Sequence, residues 1–168
     1  MSERASADRS GRAMTRGSRR AFVVASVLAV LALAGVLAYL RDPPWLLTMS
    51  SGLRDWETGS DGRRFRWAGP HASFFVRADA RDMRLRLRTT FDRPGEWPIA
   101  VSISIDDEPV DRLVLSDPSW RESVVRLPSP GSRRVRRVDV RSDRAREDNR
   151  AVQLGEVIVT QSQKTEAH

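Results

Sequence analysis

The sequence predicts an all-β fold: an antiparallel β-sandwich or jelly roll, tethered by one N-terminal transmembrane α-helix. Three observations predict it. A single long apolar stretch lies near the N-terminus, and apolar and polar residues alternate with a period of two in several later segments. Turn-forming residues separate these segments at spacings of about 8 to 15 residues, as in sandwiches. After residue 41 no segment has the 3.6-residue period of an amphipathic helix.

Residues 1–20 predict a basic cytoplasmic tail. They contain six arginines and only two acidic residues, Glu3 and Asp8. Basic residues beside a membrane span favour the cytoplasmic side of the membrane. We therefore expect the N-terminus inside and the longer C-terminal part outside the cytoplasm.

Residues 21–40 predict the membrane span. The segment AFVVASVLAVLALAGVLAYL contains no charged residue. As a helix rising about 1.5 Å per residue, it reaches about 30 Å, the thickness of the hydrocarbon core of a bilayer. Tyr39 and Trp45 fall where aromatic side chains favour the headgroup layer, and Pro43-Pro44 prevents the helix from continuing. The prediction is a single-pass protein of the bacterial inner (cytoplasmic) membrane.

Two export signals are alternatives to an uncleaved anchor. A signal peptide has an apolar region of about 7 to 15 residues, and cleavage after Ala32-Leu33-Ala34 would leave an apolar new terminus. The apolar stretch of residues 21–40 is longer than the apolar region of a signal peptide, and this length favours the anchor. The segment Ser18–Phe22 resembles a twin-arginine signal, but paired arginines recur at Arg63-Arg64 and Arg136-Arg137, as expected by chance in an arginine-rich chain.

The rest of the chain predicts a stalk, a sandwich and a tail. Residues 41–52 mix Pro, Ser and Gly with short apolar pieces and are interpreted as the stalk. Residues 53–161 form the predicted sandwich, and residues 162–168 a disordered polar tail. The clearest strands are those in which Met83, Leu85 and Leu87, and then Val101, Ile103 and Ile105, alternate with polar residues. The other predicted strands are Phe65–Trp67, Ala72–Ala78, Val110–Leu115, Arg121–Leu127, Val135–Val140 and Val152–Thr160.

Composition excludes several classes of function. The net charge is +7, but beyond residue 20 the chain carries 23 basic and 20 acidic residues, with their signs interleaved. Such a surface lacks the continuous basic stripe of a nucleic-acid-binding protein, so no nucleic-acid partner is predicted. The chain has no Cys and only two His, which excludes thiol catalysis, disulfides and Cys/His metal cages. No cofactor is predicted.

A series of short motifs over about residues 52–160 resembles a known family. The motifs are Gly52 with Trp56-Glu57, Phe65-Arg66-Trp67-Ala68, the strand around Leu85, Ile105-Asp106-Asp107, Trp120 leading to Leu127-Pro128, and Asp148-Asn149-Arg150-Ala151-Val152. They resemble the accessory β-sandwich domain of bacterial envelope membrane proteins, often associated with integral-membrane glycosyltransferases and similar in shape to carbohydrate-binding modules. The resemblance implies an extracytoplasmic, non-catalytic jelly roll connected with envelope polysaccharide. Gln153 departs from the pattern, where the family has Gly.

Two tryptophans are candidate sugar-binding residues, because an indole ring can stack on the apolar face of a pyranose. Trp97 lies in the Pro/Gly-rich loop Arg93–Pro98, where burial is less automatic than in a strand. Trp56 lies between two carboxylates that could accept hydrogen bonds from hydroxyls, although a strand residue filling the core explains it as well. Trp67 and Trp120 are expected to pack structurally.

A row of arginines is the second candidate binding feature. Arg84, Arg86 and Arg88 project from one side of a predicted strand. Guanidinium groups can grip phosphate or carboxylate groups of an anionic polysaccharide, or lipid headgroups. The alternative, which we favour, is a solvated sheet face opposed by acidic residues of the next strand.

Catalysis is not predicted. Asp106, Asp107 and Glu108 are adjacent on a turn, whereas glycoside hydrolysis needs two carboxylates on either side of the scissile bond. Polar hairpin residues explain them better, and a Ca²⁺ site is a lesser alternative. His71 has no nucleophile motif beside it.

These features predict a membrane-anchored, extracytoplasmic, non-catalytic β-sandwich that binds or positions envelope polysaccharide. The ligand-binding candidates are Trp97, Trp56, Arg84, Arg86 and Arg88. The alternative is a structural or interaction subunit that docks on a membrane glycosyltransferase or transport complex. An exposed apolar patch would favour that alternative.

Overall fold

The computed structural model describes residues 16–129 and 133–161. Most of the predicted basic tail, residues 130–132 and the predicted tail 162–168 lie outside the described residues. The chain divides after Arg41 into two compact units. The first contains one helix and the second contains all the strands.

The first unit is the helix α1, Arg16–Arg41. Its side chains from Arg20 onwards are exposed, including large apolar ones such as Leu28 and Leu31. Within the stretch from Arg20 to Thr48, a window of 18 residues has a mean hydropathy of 2.7, and none of that window is buried. Length and composition fit a membrane span, and because the helix is near the N-terminus they also fit a signal sequence.

The second unit begins with a short 3₁₀ turn, Pro44–Thr48. Just before it, Asp42 is buried and accepts a hydrogen bond from Arg133 Nε at 2.8 Å. This turn lies within residues 41–52, where the sequence predicted a stalk. Part of that segment is therefore fixed to the sandwich, because the buried Asp42 carboxylate is held by an arginine distant in sequence.

Nine strands follow within the described residues, and each of their pairs is antiparallel. The strands are β1 Ser50–Thr58, β2 Arg64–Arg77, β3 Ala80–Thr89, β4 Ile99–Ile105, β5 Glu108–Leu115, β6 Arg121–Arg126, β7 Val135–Ser142, β8 Val152–Gly155 and β9 Ile158–Gln161. A second 3₁₀ turn, Pro94–Glu96, precedes β4. The all-β class with one N-terminal helix is confirmed.

Strand β2 joins the two layers of the sandwich. Its C-terminal half pairs with β7, which continues to β4 and β5, and its N-terminal half pairs with β8, which continues to β3 and β6. The ladder is interrupted at Gly69-Pro70, where proline has no N–H to donate. Strand β1 pairs along β2, and Gly52 (φ +66°) is required there because a Cβ would lie 2.1 Å from the His71 carbonyl oxygen.

The core lies between the two layers. Alternate residues of β3 and β4 are fully buried, and they pack in one cluster with residues of β2, β6, β7 and β8. Burial of every second residue follows from the pleat of a strand, so the predicted inward faces of β3 and β4 are confirmed. At the far edges, Ser123 Oγ on β6 donates to the Asp111 carboxylate on β5, which brings the last strands of the two layers together.

Two strand boundaries differ from the sequence prediction. The segments Phe65–Trp67 and Ala72–Ala78 are one strand, β2, because β1 pairs across the Gly69-Pro70 interruption. Conversely, the predicted strand Val152–Thr160 is two strands that pair in succession with β3. Asp106 and Asp107 form the two-residue β4–β5 turn, with φ of 50° and 73°, as a tight hairpin requires.

Candidate functional site

Trp97 lies apart from the other candidate residues. Its indole Nε1 donates to the Phe91 carbonyl oxygen at 3.1 Å, and its ring is half-buried. The loop holding it is fixed by Glu96, which accepts from the Arg93 amide and closes the short 3₁₀ turn. The ring is therefore held in place, but it lines neither of the grooves described below.

Trp56 is exposed and is covered by arginines. It is 41% exposed on β1, and the guanidinium carbons of Arg64 and Arg66 lie 5.0 and 5.3 Å from its ring centroid. Arg66 is the direct cross-strand partner of Trp56, and Arg64, two residues away, projects to the same face of β2. These distances are typical of cation–π contacts.

The predicted row of Arg84, Arg86 and Arg88 projects outward from β3. Arg84 and Arg86 both form ion pairs with Glu122 on β6, at 3.5 and 3.1 Å. An acidic residue on the neighbouring strand thus opposes the row. Arg88 differs, because it is half-buried and lies over the ring of Trp120 at 5.9 Å.

Arg86 belongs to a concave site that we call the arginine groove, with a volume of about 300 Å³. Its lining residues are Gly62, Arg63, Arg64, Arg86, Trp120, Gly155, Glu156 and Ile158. The residues come from the β1–β2 turn, β2, β3, the position just before β6, the end of β8, the β8–β9 connection and the start of β9. Three cationic side chains and one aromatic ring thus face one carboxylate.

Gly155 shapes the arginine groove. A Cβ at this position would lie 3.2 Å from the Arg86 Cβ and 3.7 Å from Trp120 Cζ3. The absence of a side chain on β8 lets the aliphatic part of Arg86 and the indole ring lie against the backbone. A larger residue would push both into the groove.

Two of the three arginines of the groove are only loosely paired, whereas Arg86 is hydrogen-bonded to Glu122. Arg63 lies 3.8 Å from Asp61, and Arg64 lies 3.8 Å from Glu156. The side chains of Arg63, Arg64 and Arg86 are 59%, 56% and 46% exposed. Their remaining N–H donors face solvent and can be offered to a ligand.

Sequence reasoning missed part of this groove. Trp120 packs against Phe65, with ring centroids 6.5 Å apart, but it is only half-buried and also lines the groove. Its place directly after the turn formers Asp117-Pro118-Ser119 is a signal that could have indicated exposure. Trp67 is also half-buried and packs edge-on against Phe65, with ring centroids 5.3 Å apart. Arg63-Arg64 had been interpreted only as a chance pair.

A second groove, which we call the apolar groove, adjoins the first and has a volume of about 350 Å³. It shares Gly155, Glu156 and Ile158 with the arginine groove. The other lining residues are Leu47, Thr48, Met49, Ser50, Leu53, Trp56, Arg66, Phe74, Phe75, Leu154 and Val157. Of the predicted ligand-binding residues, the structure thus places Trp56 and Arg86 at neighbouring grooves.

The acidic turn residues belong to a separate network that we call the turn cluster: Asp106, Asp107, Arg136, Arg137 and Asp139. Arg136 contacts Asp106 at 2.7 Å, and Arg137 bonds both Asp107 and Asp139. The Asp106 carboxylate also accepts the Arg137 amide at 3.0 Å. The arginines supply the positive charge at this turn.

Asp139, the buried member of the turn cluster, has a lowered pKa. Burial raises the pKa of its carboxyl, but hydrogen bonds from His71, at 2.9 Å, and from Arg137 outweigh burial. The hydrogen bond to Asp139 in turn raises the pKa of Arg137. In residues 16–129 and 133–161, no group of three or more His, Asp or Glu side chains could hold a metal ion.

No protein family and no curated protein matches the chain. Solved structures with a similar fold include carbohydrate-binding modules. The CBM51-2 and INT domains of Clostridium perfringens ZmpB have a TM-score of 0.42 and 7% identity, over 68% of this chain and 28% of that one. The CBM51 of a Clostridium perfringens GH95 protein, in complex with methyl-galactose, has 0.43 and 10%, over 68% and 94%. A family 35 carbohydrate-binding module from Clostridium thermocellum has 0.44 and 12%, over 68% and 92%.

Proposed function

We propose that this chain is a membrane-anchored, extracytoplasmic, non-catalytic β-sandwich that binds envelope polysaccharide at the arginine groove. The observation that carries the proposal is the groove itself, which is lined by Arg63, Arg64 and Arg86 together with the half-buried Trp120. Bacterial inner-membrane localisation, with the N-terminus in the cytoplasm, is part of the same proposal.

The chemistry of the groove suits a sugar. An aromatic ring offers an apolar surface to the C–H groups of a pyranose, and guanidinium groups donate paired hydrogen bonds to hydroxyl, carboxylate or phosphate oxygens. Three arginines facing one glutamate favour an anionic sugar over a neutral one. Trp56, stacked under Arg64, extends the aromatic surface toward the apolar groove.

The anchor is supported by α1 and the sequence before it. The helix is long and apolar enough to cross a bilayer, and the arginines of residues 1–20 favour a cytoplasmic N-terminus. The tether would keep the arginine groove close to glycans at the membrane surface. A high effective concentration compensates for weak contacts.

The non-catalytic assignment is supported by the state of the carboxylates. The acidic residues of the turn cluster are held by arginines, and Glu122 is held by Arg84 and Arg86. These carboxylates are held in ion pairs, whereas glycoside hydrolysis needs two carboxylates on either side of the scissile bond.

Calorimetry on the full chain in lipid nanodiscs tests the proposal. Polysaccharide from the envelope of the source cell is titrated into wild type and into Arg86→Gln. Loss of one charge-assisted contact, about 1.5–3 kcal/mol, predicts a roughly 10- to 100-fold weaker affinity. Arg84→Gln is the matched control, because Arg84 pairs with the same Glu122 but does not line the groove.

Variants of the other candidate residues locate the site more finely. Trp56→Ala should weaken binding if the sugar chain extends toward the apolar groove, whereas Trp97→Ala reports on the separate loop site. Arg88→Gln tests the half-buried end of the row. If the folded wild type takes up no polysaccharide, glycan binding is wrong. Docking on a membrane glycosyltransferase or transport complex then becomes the leading hypothesis, to be tested by crosslinking.

A further inference from the structure

The 3₁₀ turn Pro44–Thr48 presents apolar side chains that the sandwich does not cover. Trp45, Leu47 and Met49 are 52%, 40% and 49% exposed. Leu46, which lies between them, is half-buried against the sandwich. Three large apolar side chains are thus exposed over a short segment, and water solvates apolar surface poorly.

This turn is fixed to the sandwich and does not swing freely. Asp42 accepts hydrogen bonds from Arg133 Nε at 2.8 Å and from the Arg134 amide at 3.3 Å, and Asp42 and Pro43 are buried. The exposed apolar side chains are therefore carried by the folded unit, and their orientation is that of the sandwich.

Several backbone N–H and C=O groups of the turn are already hydrogen-bonded within the protein, as entry into an apolar layer requires. The Leu46 amide donates to the Pro43 carbonyl, and the Met49 amide donates to the Leu46 carbonyl. Thr48 Oγ1 donates to the Trp45 carbonyl at 2.8 Å, and Pro44 has no N–H to satisfy. Unpaired backbone groups are the main cost of entering an apolar layer, and here several are already paired.

Basic residues lie beside the apolar side chains. A concavity on the other side of Leu47 is lined by Asp42, Pro44, Leu47, Arg77, Asp79, Arg133, Arg134 and Val135. Asp79 pairs with Arg77, and Asp42 pairs with Arg133. Among the described residues, no acidic side chain pairs with Arg134. An arginine next to apolar side chains is typical of surfaces that contact anionic lipid headgroups.

We propose that the surface formed by Trp45, Leu47, Met49 and Arg134 docks the sandwich on the lipid headgroup layer, with the apolar side chains entering the interface. This rests on α1 being the membrane anchor. Leu47 follows Arg41 by six residues, so the covalent chain allows at most about 22 Å between Leu47 and the end of the span. Trp in particular favours the headgroup depth. Docking gives the arginine grooves of neighbouring molecules a common height above the membrane.

Collision measurements with single nitroxide labels test the docking. The chain has no cysteine, so single Cys substitutions can be labelled directly. The labels are placed at Leu47→Cys, at Val30→Cys in the middle of α1, and at Val114→Cys, a 54% exposed position on β5. The full chain is reconstituted in phosphatidylcholine vesicles with and without phosphatidylglycerol. Apolar oxygen and a water-soluble nickel chelate compete as collision partners.

At position 47 we expect oxygen to collide more often than the chelate, and at position 114 the reverse. A water-like result at 47 with a lipid-like result at 30 would overturn the docking and leave the anchor intact. A water-like result at 30 would overturn both. If neither oxygen nor the chelate reaches the label at position 47, protein covers that position. Dilution of the protein in lipid would then show whether the covering protein is a second copy of the chain.

Arg134 provides the second arm of the test. Arg134→Gln should reduce the ratio of docked to undocked sandwich about fivefold in vesicles with phosphatidylglycerol, and little in phosphatidylcholine alone. Arg126→Gln is the matched control, because Arg126 is exposed on β6 and lies outside this surface. Equal effects of the two substitutions would contradict a specific role for Arg134.

Discussion

The arginine groove and the turn cluster are both rich in arginine, yet they differ in how the guanidinium groups are satisfied. In the turn cluster, Arg136 is only 12% exposed and its carboxylate partner lies at 2.7 Å. In the groove, Arg63 and Arg64 are more than half exposed, and their carboxylate partners lie at 3.8 Å. The number of arginines therefore does not identify a binding site. What distinguishes the groove is donors that the protein itself leaves open to solvent.

The largest effect on stability is expected in the turn cluster. Asp106→Asn keeps a residue that tolerates positive φ but removes the charge that Arg136 faces. Loss of a mostly buried ion pair should lower the free energy of unfolding by about 2–3 kcal/mol. Urea unfolding followed by tryptophan fluorescence measures this free energy, and all five Trp residues lie after Arg41.

The groove counterpart, Glu156→Gln, should change stability by less than about 1 kcal/mol. Equal losses of unfolding free energy in Asp106→Asn and Glu156→Gln would contradict the distinction between the two regions.

A pH series tests the turn cluster through Asp139. Because its folded pKa is lower than its unfolded pKa, Asp139 stabilises the fold fully above the unfolded value of about 3.9. This contribution is lost as the pH falls through the folded value. The unfolding free energies of wild type and Asp139→Asn should differ by about 2 kcal/mol at neutral pH and converge in acid. Asp92→Asn, at an 84% exposed position, is the control. A difference independent of pH would contradict this account.

Gly155→Ala tests the shape of the groove. The new Cβ would press on Arg86 and Trp120, so we expect a stability loss of about 1 kcal/mol. Polysaccharide affinity should fall more than stability, because both side chains are displaced into the binding volume. Gly95→Ala is the control, since nothing lies within 4 Å of a Cβ there. Unchanged affinity in Gly155→Ala would place the ligand elsewhere.

The smallest effect is expected for Glu122→Gln. Its ion pairs with Arg84 and Arg86 are exposed, and such pairs contribute about 0–1 kcal/mol. Stability should therefore barely change. The groove becomes more positive, so an anionic polysaccharide should bind a few-fold more tightly, whereas a neutral one should not. Weaker binding of the anionic polymer would show that Glu122 orients Arg86 for the ligand.

Local pattern predicted the parts of the fold that depend on local geometry. The inward faces of β3 and β4 follow from the two-residue period of a strand, and the tight turn follows from adjacent acidic residues. The continuity of β2 through Gly69-Pro70 could not be predicted, because it depends on pairing with β1 and on the change of partner from β7 to β8.

The candidate site was predicted only in part, for a similar reason. The projection of Arg86 to the polar face of β3 is a property of its own strand. The approach of Arg64, Trp120 and Gly155 to Arg86 depends on which strands are neighbours in the sheet. The spacing of residues along the sequence does not show which strands are neighbours. Exposure of Trp120 depends likewise on the small residue beside it on β8.

The shared strand β2 also dictates the order in which the sheet can form as the chain is synthesised. His71 pairs with Arg141, and Phe65 pairs with Gly155, so neither layer closes until the C-terminal strands arrive. Until then β2 and β3 have unpaired edges that could associate with other chains. The arginines along β3 then act as gatekeepers, since like charges oppose edge-to-edge association. One of them, Arg86, would thus protect the unfinished chain before it lines the finished groove.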